Sequence, residues 1–438
     1  MLFTALVLFC TANVYALAKV LDIGLLLPAL ACAVLFIAVN IRPVFGSLPV
    51  KKHQRIRCGT ALLEAFLIAA ALSVIFLFLG IFALELGKKT MIINSVAAFL
   101  ILALAFWNGI IRIYISASQL GVKWRAIGAV CGLIPVVHLF VLIKLISLAE
   151  REYRFEDEKH RINEERSSEQ ICATRYPLLL VHGVFFRDFE HMNYWGRIPA
   201  ELQKNGAQIF YGGQQSAQSV AKSAQELHER ITQVLAETGA EKVNIIAHSK
   251  GGLDSRYAIG LLGADMRVAS LTTINSPHHG CAWAQNALEK IPASVQEWIA
   301  RRYESIFSIL GDTAPAFLEG VRDLTPEACK RLNSLCPLPQ QIPVHCVMSE
   351  MNHINSAPFP LWVSYLAMKL YDRNVRGDGL VPIESAKLDG AVFTMVPKTK
   401  YRGISHGDMI DLSRENIRGF DVREFYVHLV QDLKKQGL

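Results

Sequence analysis

Val243-Asn244-Ile245-Ile246-Ala247-His248-Ser249-Lys250-Gly251-Gly252 decides the reading of this chain. A short apolar run ends in small-His-Ser-x-Gly-Gly and opens into a helix-compatible stretch, Leu253 to Leu262. That is the local pattern of a nucleophile elbow, where a strand turns sharply into a helix and a serine hydroxyl stands clear of the backbone. The turn strains the serine, so the residues two before and two after it must be small; Ala247 and Gly251 are. Alanine at 247 stands where glycine is more common, and it still leaves room. A match this short arises often by chance, so its weight comes from its surroundings.

Outward from the elbow, strand-like and helix-like windows alternate. Pro177–His182, Ala207–Tyr211, Lys242–Ala247, Val268–Ile274, Ile342–Met348 and Gly390–Val396 read as strands. Ala221–Glu237 places Ala224, Leu227, Ile231, Val234 and Leu235 at helical spacing. Such alternation predicts a mainly parallel, doubly wound α/β sheet covered on both faces. Active sites in these sheets gather at the carboxyl ends of strands.

A serine nucleophile needs a base, an acid to orient that base, and donors for an oxyanion. The chain order that goes with this elbow is serine, acid, histidine. Downstream of Ser249 the best acid is Asp378, in Gly377-Asp378-Gly379, where glycines suit a loop after a strand. The best base is His406, in a polar loop between the last strand and a terminal helix. His278, His279, His345 and His353 are rivals. The first two follow a strand end and suit pocket shaping, and His353 precedes Asp378, which breaks the order. His248 is expected to pack under the elbow. Backbone N–H groups of Val184 and Lys250 are the expected oxyanion donors. The Lys250 side chain is expected in solvent, with a general-base role as the sharper alternative.

The first third of the chain is of a different kind. Up to Ala149 it holds 12 of the 45 basic residues and 3 of the 38 acidic ones, so the net charge of +7 belongs to it. The charges punctuate apolar segments, which excludes a nucleic-acid-binding surface. Met1–Ala18, Asp22–Ile41, Thr60–Leu84, Met91–Ile111 and Ile127–Leu148 each approach the roughly 20 apolar residues that span a bilayer. The first could be a poor signal peptide ending Ala16-Leu17-Ala18, but without a basic start it reads better as a span. Arg42, Lys51, Lys52, Arg55 and Arg57 in one short loop, and Arg112, Lys123 and Arg125 in another, put those loops in the cytoplasm. The catalytic region is then expected outside it, with the protein a multi-pass component of the cell membrane. Residues 150–172 mix Glu, Arg, Lys and Asp and read as a charged linker. The expected organisation is a transmembrane helical domain at 1–149, the linker, and an α/β domain at 173–438.

Two segments keep open readings. Trp283 to Leu318 is rich in apolar and aromatic residues and is either a packed helix pair or a mobile cap over an acyl pocket, facing lipid. Cys329 and Cys336 could close a short loop in an oxidising compartment, with Cys346 as competitor.

From Tyr176 to Val430 the chain resembles the bacterial triacylglycerol lipases of the α/β-hydrolase superfamily. Pro177-Leu178-Leu179-Leu180-Val181-His182-Gly183 resembles the family's oxyanion strand and loop, and Tyr194-Trp195-Gly196-Arg197-Ile198-Pro199 its next helix. The elbow, Ser276-Pro277-His278-His279-Gly280, Asp378-Gly379-Leu380-Val381 and His406-Gly407-Asp408 follow in the family's order. The resemblance implies an α/β-hydrolase fold, with Ser249 as nucleophile, Asp378 as acid, His406 as base, and Val184 and Lys250 as oxyanion donors. It implies no required cofactor. An Asp two residues after the histidine helps bind structural calcium in some secreted members; Asp408 fits, but Ala357–Val363 supplies no convincing partner. The membrane third is absent from the secreted lipases.

The expected function is therefore a membrane-anchored serine hydrolase (lipase or esterase) acting on lipid-like acyl esters through an acyl-enzyme. The competing readings are an inert hydrolase-like membrane interaction protein, suggested by the number of spans, and a lipid acyltransferase using the same triad. A transporter is disfavoured because Glu64 is the main ionisable residue at depth.

Overall fold

The computed structural model describes residues 1–438 apart from 133, 135, 185–192, 310, 311, 313, 314, 358 and 401. It divides into two compact units, Met1–Glu164 and Glu165–Leu438.

The first unit is helical: α1 (Leu2–Val20), α2 (Leu26–Ile41), α3 (Lys51–Phe82), α4 (Lys88–Ser116), α5 (Gly121–Cys131) and α6 (Val137–Arg166). Three of these, α1, α3 and α4, are long and apolar enough to cross a membrane, and α2 is a shorter apolar helix. Small residues let α3 and α4 approach closely, as in membrane bundles. A Cβ on Gly59 would stand 2.8 Å from Ile113, and one on Gly109 would stand 2.7 Å from Leu63. Polar side chains add a clamp: Asn94 donates to Asn13 (2.9 Å), and Asn13 donates to Ser73 (2.7 Å).

The fifth expected span, Ile127–Leu148, does not form as one helix, because α5 ends at Cys131 and α6 begins at Val137. The intervening sequence holds Gly132 and Pro135, the two residue types that interrupt helices. Residues 133 and 135 of that expected span lie outside the described residues. The charged segment after it is helical to Arg166, with an i,i+4 pair between Glu150 and Arg154 on its exposed side.

Among the described residues the second unit holds a six-stranded, parallel sheet of order β2-β1-β3-β4-β5-β6. Its strands are β1 (Leu178–Val181), β2 (Ile209–Tyr211), β3 (Val243–His248), β4 (Val268–Ile274), β5 (Val344–Met348) and β6 (Val392–Met395). Helices α7 (Ile198–Lys204), α8 (Val220–Thr238), α9 (Lys250–Leu261), α10 (Ala282–Lys290), α11 (Ala293–Ile309), α12 (Phe317–Arg322), α13 (Pro326–Leu335), α14 (Phe359–Tyr371) and α15 (Val422–Lys435) surround it. Alternate residues of each strand serve opposite faces. Leu178, Leu180 and Ile246 meet α7 and α15 through Ile198, Leu202, Tyr426, Val427 and Val430. Leu179, Val181, Val243, Ile245 and Ala247 meet α8 and α9 through Leu227, Ile231, Val234, Ala258 and Ile259.

This topology locates the site. The chain leaves β1 for β2 on one side, then returns to lay β3 on the other, so the strand order reverses between β1 and β3. Ligand clefts in open α/β sheets form at the carboxyl ends of such a pair. Val181 pairs with Ala247 there, so His182-Gly183 and His248-Ser249 leave the sheet side by side.

Candidate active site

Ser249 stands between the end of β3 and the first turn of α9, at φ 56° and ψ −129°. A non-glycine residue at positive φ is strained backbone held by its surroundings. Its own N–H donates to the Ile274 carbonyl of β4 at 2.9 Å. The small neighbours are required by contact. A Cβ on Gly251 would stand 2.5 Å from the His182 carbonyl oxygen and 2.8 Å from that of Val181; one on Gly252 would stand 2.7 Å from Ser276 Cβ.

The loop after β1 presses on the elbow just as tightly. A Cβ on Gly183 would stand 2.7 Å from Ser249 Cβ. Val184 follows and is half-buried; beyond it, residues 185–192 are outside the described part. Lys250 opens α9, so its N–H has no intrahelical acceptor, and no acceptor for the Val184 N–H occurs among the described residues. Two N–H groups with no acceptor among the described residues, on the turns beside one serine, suit an oxyanion.

Asp378 and His406 meet. His406 Nδ1 lies 2.6 Å from Asp378 Oδ2, and the His406 N–H donates to the Asp378 carbonyl at 2.9 Å. The other carboxylate oxygen accepts from the N–H groups of Leu380 (2.9 Å) and Val381 (2.8 Å). Asp378 is fully buried. Its loop is closed by an isolated bridge between Gly377 and Pro382. The sequence expectation of a loop directly after a strand is corrected: α14 is inserted between β5 and Asp378. His406 does follow β6 and precede α15.

The His406 ring packs 4.4 Å, centroid to centroid, from that of His248, the residue before Ser249. His248 is fully buried, and its Nδ1 lies 2.7 Å from the Tyr194 hydroxyl. Burial holds its pKa well below 6.5, with His406 adding to the effect. Tyr194 was visible in the sequence only as part of a motif; its role is to fix His248 and crowd Gly183, from which a Cβ would stand 3.0 Å from the hydroxyl.

The Lys250 side chain is not in solvent. It is buried, with Nζ 2.8 Å from Asp254 Oδ1 and 2.9 Å from Ser223 Oγ of α8. One helical turn places Asp254 beneath it, and α8 covers both. Desolvation lifts the Asp254 carboxyl to about 7 even against the pull of Lys250.

The loop carrying His406 is held by two further ion pairs. Arg197 Nε lies 2.8 Å from Asp411 Oδ2, and its N–H donates to the same oxygen. Asp408 accepts from Arg402 (2.9 Å) and from the Ser405 N–H and hydroxyl. Burial raises the Asp408 pKa, and Arg402 opposes the rise. A guanidinium on this carboxylate does not fit a calcium ligand, and no group of three or more His, Cys, Asp or Glu suited to a metal occurs among the described residues.

The rival histidines have other partners, with His279 Nδ1 3.4 Å from Asn333 Nδ2. His278 is fully buried against Thr273 Oγ1 at 3.0 Å, and burial lowers its pKa well below 6.5. His345 reaches Thr394, and His353 caps a short turn with Ser356. Cys329 and Cys336 are separate thiols two turns apart along α13, roughly 10 Å by helical rise and beyond disulfide reach.

The apolar segment Trp283 to Leu318 contains α10 and α11 and the start of α12, with 310, 311, 313 and 314 outside the described residues. Its base is fixed: the Trp283 indole donates to the Leu380 carbonyl at 2.7 Å, beside the Asp378 loop. Further along, α11 exposes Val295, Trp298, Tyr303 and Ile306.

A model of the α/β hydrolase fold matches residues 176–409. The chain is 38% identical over 152 residues to the triacylglycerol lipase of Burkholderia plantarii, covering 33% of this chain and 42% of that one. It is 38% identical over 136 residues to the triacylglycerol lipase of Vibrio cholerae, covering 31% and 43%. The chain thus spans less than half the length of these curated relatives. It is also similar to the crystal structure of Bacillus licheniformis lipase BlEst2 in mature form, at 18% identity and a TM-score of 0.44, over 59% of this chain and 92% of that one. With more than half of its length matched to the family, and a strained serine turn at the point where its parallel sheet reverses strand order, this chain belongs to the α/β-hydrolase fold family.

Proposed function

We propose that the chain is a membrane-anchored serine hydrolase that cleaves carboxylic esters of lipid-like substrates. The observation that carries this reading is the 2.6 Å pair between His406 and Asp378, with the imidazole packed against the residue that precedes Ser249. In the proposed reaction His406 accepts the proton of Ser249 as Oγ attacks the ester carbonyl carbon. The N–H groups of Val184 and Lys250 stabilise the oxyanion that forms. Collapse of that intermediate expels the alcohol, which takes the proton back from His406 and leaves an acyl-enzyme. Water, activated by the same imidazole, then releases the acid. Asp378 keeps the Nδ1 proton in place and stabilises the imidazolium throughout.

Lipid-like esters are favoured by the 38% identity to bacterial triacylglycerol lipases and by the exposed apolar face of α11. Membrane anchoring is favoured by α1, α3 and α4 and by large apolar side chains that point outward from the first unit, among them Leu27, Val34, Phe78, Phe99 and Leu104. The basic loops after α2 and α4 favour a cytoplasmic side for those ends, and one further crossing by the α5–α6 segment would carry the hydrolase unit outside it. Purified full-length protein is expected to release p-nitrophenol from acyl esters, and Ser249→Ala is expected to abolish this. Equal activity in both would contradict the reading. A C-terminal reporter fusion active only outside the cytoplasm is the expected topology result; one active only inside contradicts it.

A further inference from the structure

At one end of the helical unit, Ile41 of α2, Ser47 and Leu48 of the following loop, Lys51, Gln54, Arg55 and Cys58 of α3, and Arg112 of α4 line a cavity of about 490 Å³. Three of these eight residues are cations and none is an acid. Arg112 is turned into place by its neighbours: its guanidinium donates to the Asn40 carbonyl (2.6 Å) and to Asn108 Oδ1 (2.9 Å). Lys51 and Arg55 are exposed, and among the described residues no carboxylate pairs with Lys51, Arg55 or Arg112. Lys52, next along, is instead matched by Glu152 at 3.6 Å. The first turn of α3 brings no acidic side chain and no side-chain cap to offset this charge. Lys51 and Arg55 near the start of α3 face an unfavourable dipole, which an anion bound there would offset.

What borders the cavity separates a lipid from a free ion. Ile41 is on its wall and is 69% exposed; Phe45, in the same loop, is 81% exposed. Both are largely exposed where α2 ends, Phe45 with its ring 6.0 Å from that of Phe3. A basic recess beside an uncovered apolar rim at the end of membrane helices matches a phospholipid: phosphate on the cations, acyl chain on the rim.

We infer that this cavity binds the headgroup of an anionic phospholipid, with Lys51, Arg55 and Arg112 holding the phosphate and Ile41 and Phe45 against the chain. The inference rests on the membrane reading proposed above, and not on the esterase chemistry. The site would tie the protein to anionic lipid on the cytoplasmic side of the bilayer.

The test uses full-length protein purified in detergent, followed by thermal unfolding with short-chain phosphatidylglycerol, short-chain phosphatidylcholine, or inorganic phosphate. Phosphatidylglycerol is expected to raise the melting temperature in a saturable way, with phosphatidylcholine and phosphate giving little shift. Lys51→Gln/Arg55→Gln changes two exposed side chains and is expected to fold, to keep wild-type turnover of a soluble ester, and to bind phosphatidylglycerol roughly 10- to 30-fold more weakly. Equal shifts with the two lipids, an equal shift with phosphate, or an unchanged affinity in the double variant would each overturn the inference. Retention of wild type in the membrane pellet after carbonate washing is scored separately. Release there would sink the membrane reading, whereas retention with no lipid selectivity sinks only this site.

Discussion

Gly183 and Ser249 touch: a Cβ on the glycine would stand 2.7 Å from the Cβ of the serine. The turn after β1 and the turn after β3 are therefore one assembly, and no side chain fits between them. Gly183→Ala must push Val184 away from the elbow. Turnover of acyl esters is expected to fall about 10²–10³-fold, the usual effect of a lost oxyanion donor. Steady-state kinetics on purified protein checks this, and unchanged kcat would contradict it.

Asp378 spends one oxygen on His406 and the other on two backbone N–H groups. Asp378→Asn can preserve the loop but disfavours the tautomer that leaves Nε2 free to accept. The expected loss in kcat is on the order of 10⁴-fold, with little change in melting temperature. A variant within tenfold of wild type would show that the pair is structural only.

Burial lifts the Asp254 carboxyl from 3.8 to about 7. Between those values the folded chain keeps a proton that the unfolded chain has released, so stability declines as pH rises through that window and levels off above it. Asp254→Asn removes this contribution. Wild type is expected to lose more stability than the variant between about pH 5 and about pH 7. Parallel slopes in denaturant titrations across that range would refute the assignment.

Trp298 and Ile306 lie exposed on α11, and Arg302 stacks on the Trp298 ring at 5.7 Å. If this face meets lipid, Trp298→Ser/Ile306→Ser is expected to lower activity on esters presented in vesicles about tenfold or more, while sparing a short soluble ester. The expected size follows from the apolar area withdrawn from water. Equal effects on both substrates would assign the helix to general stability.

The centre of the parallel sheet was legible because β1 is buried on both faces and reads as an unbroken apolar run, Leu178–Val181. The elbow was legible because its constraint is local: small residues must flank Ser249 whatever the rest does. Lys250 was misread because its burial depends on Ser223, a distant residue brought in by α8. The break between α5 and α6 was missed because an average over twenty apolar residues hides Gly132 and Pro135. Helix α14 went unread, and with it the true setting of Asp378, because Phe359–Tyr371 is apolar around most of its circumference and shows no clear period. Arg197 and Asp411 lie far apart in the chain, so nothing local foretold their pairing.

The proposed chemistry requires one chemically activated hydroxyl, that of Ser249. A fluorophosphonate probe applied to the membrane-bound protein, followed by peptide mass mapping, tests it most directly. A single adduct on Ser249 is expected, lost in His406→Ala at neutral pH and absent from protein unfolded before labelling. Folded, membrane-bound protein that takes up no probe at Ser249, or takes it up equally well without His406, would contradict it.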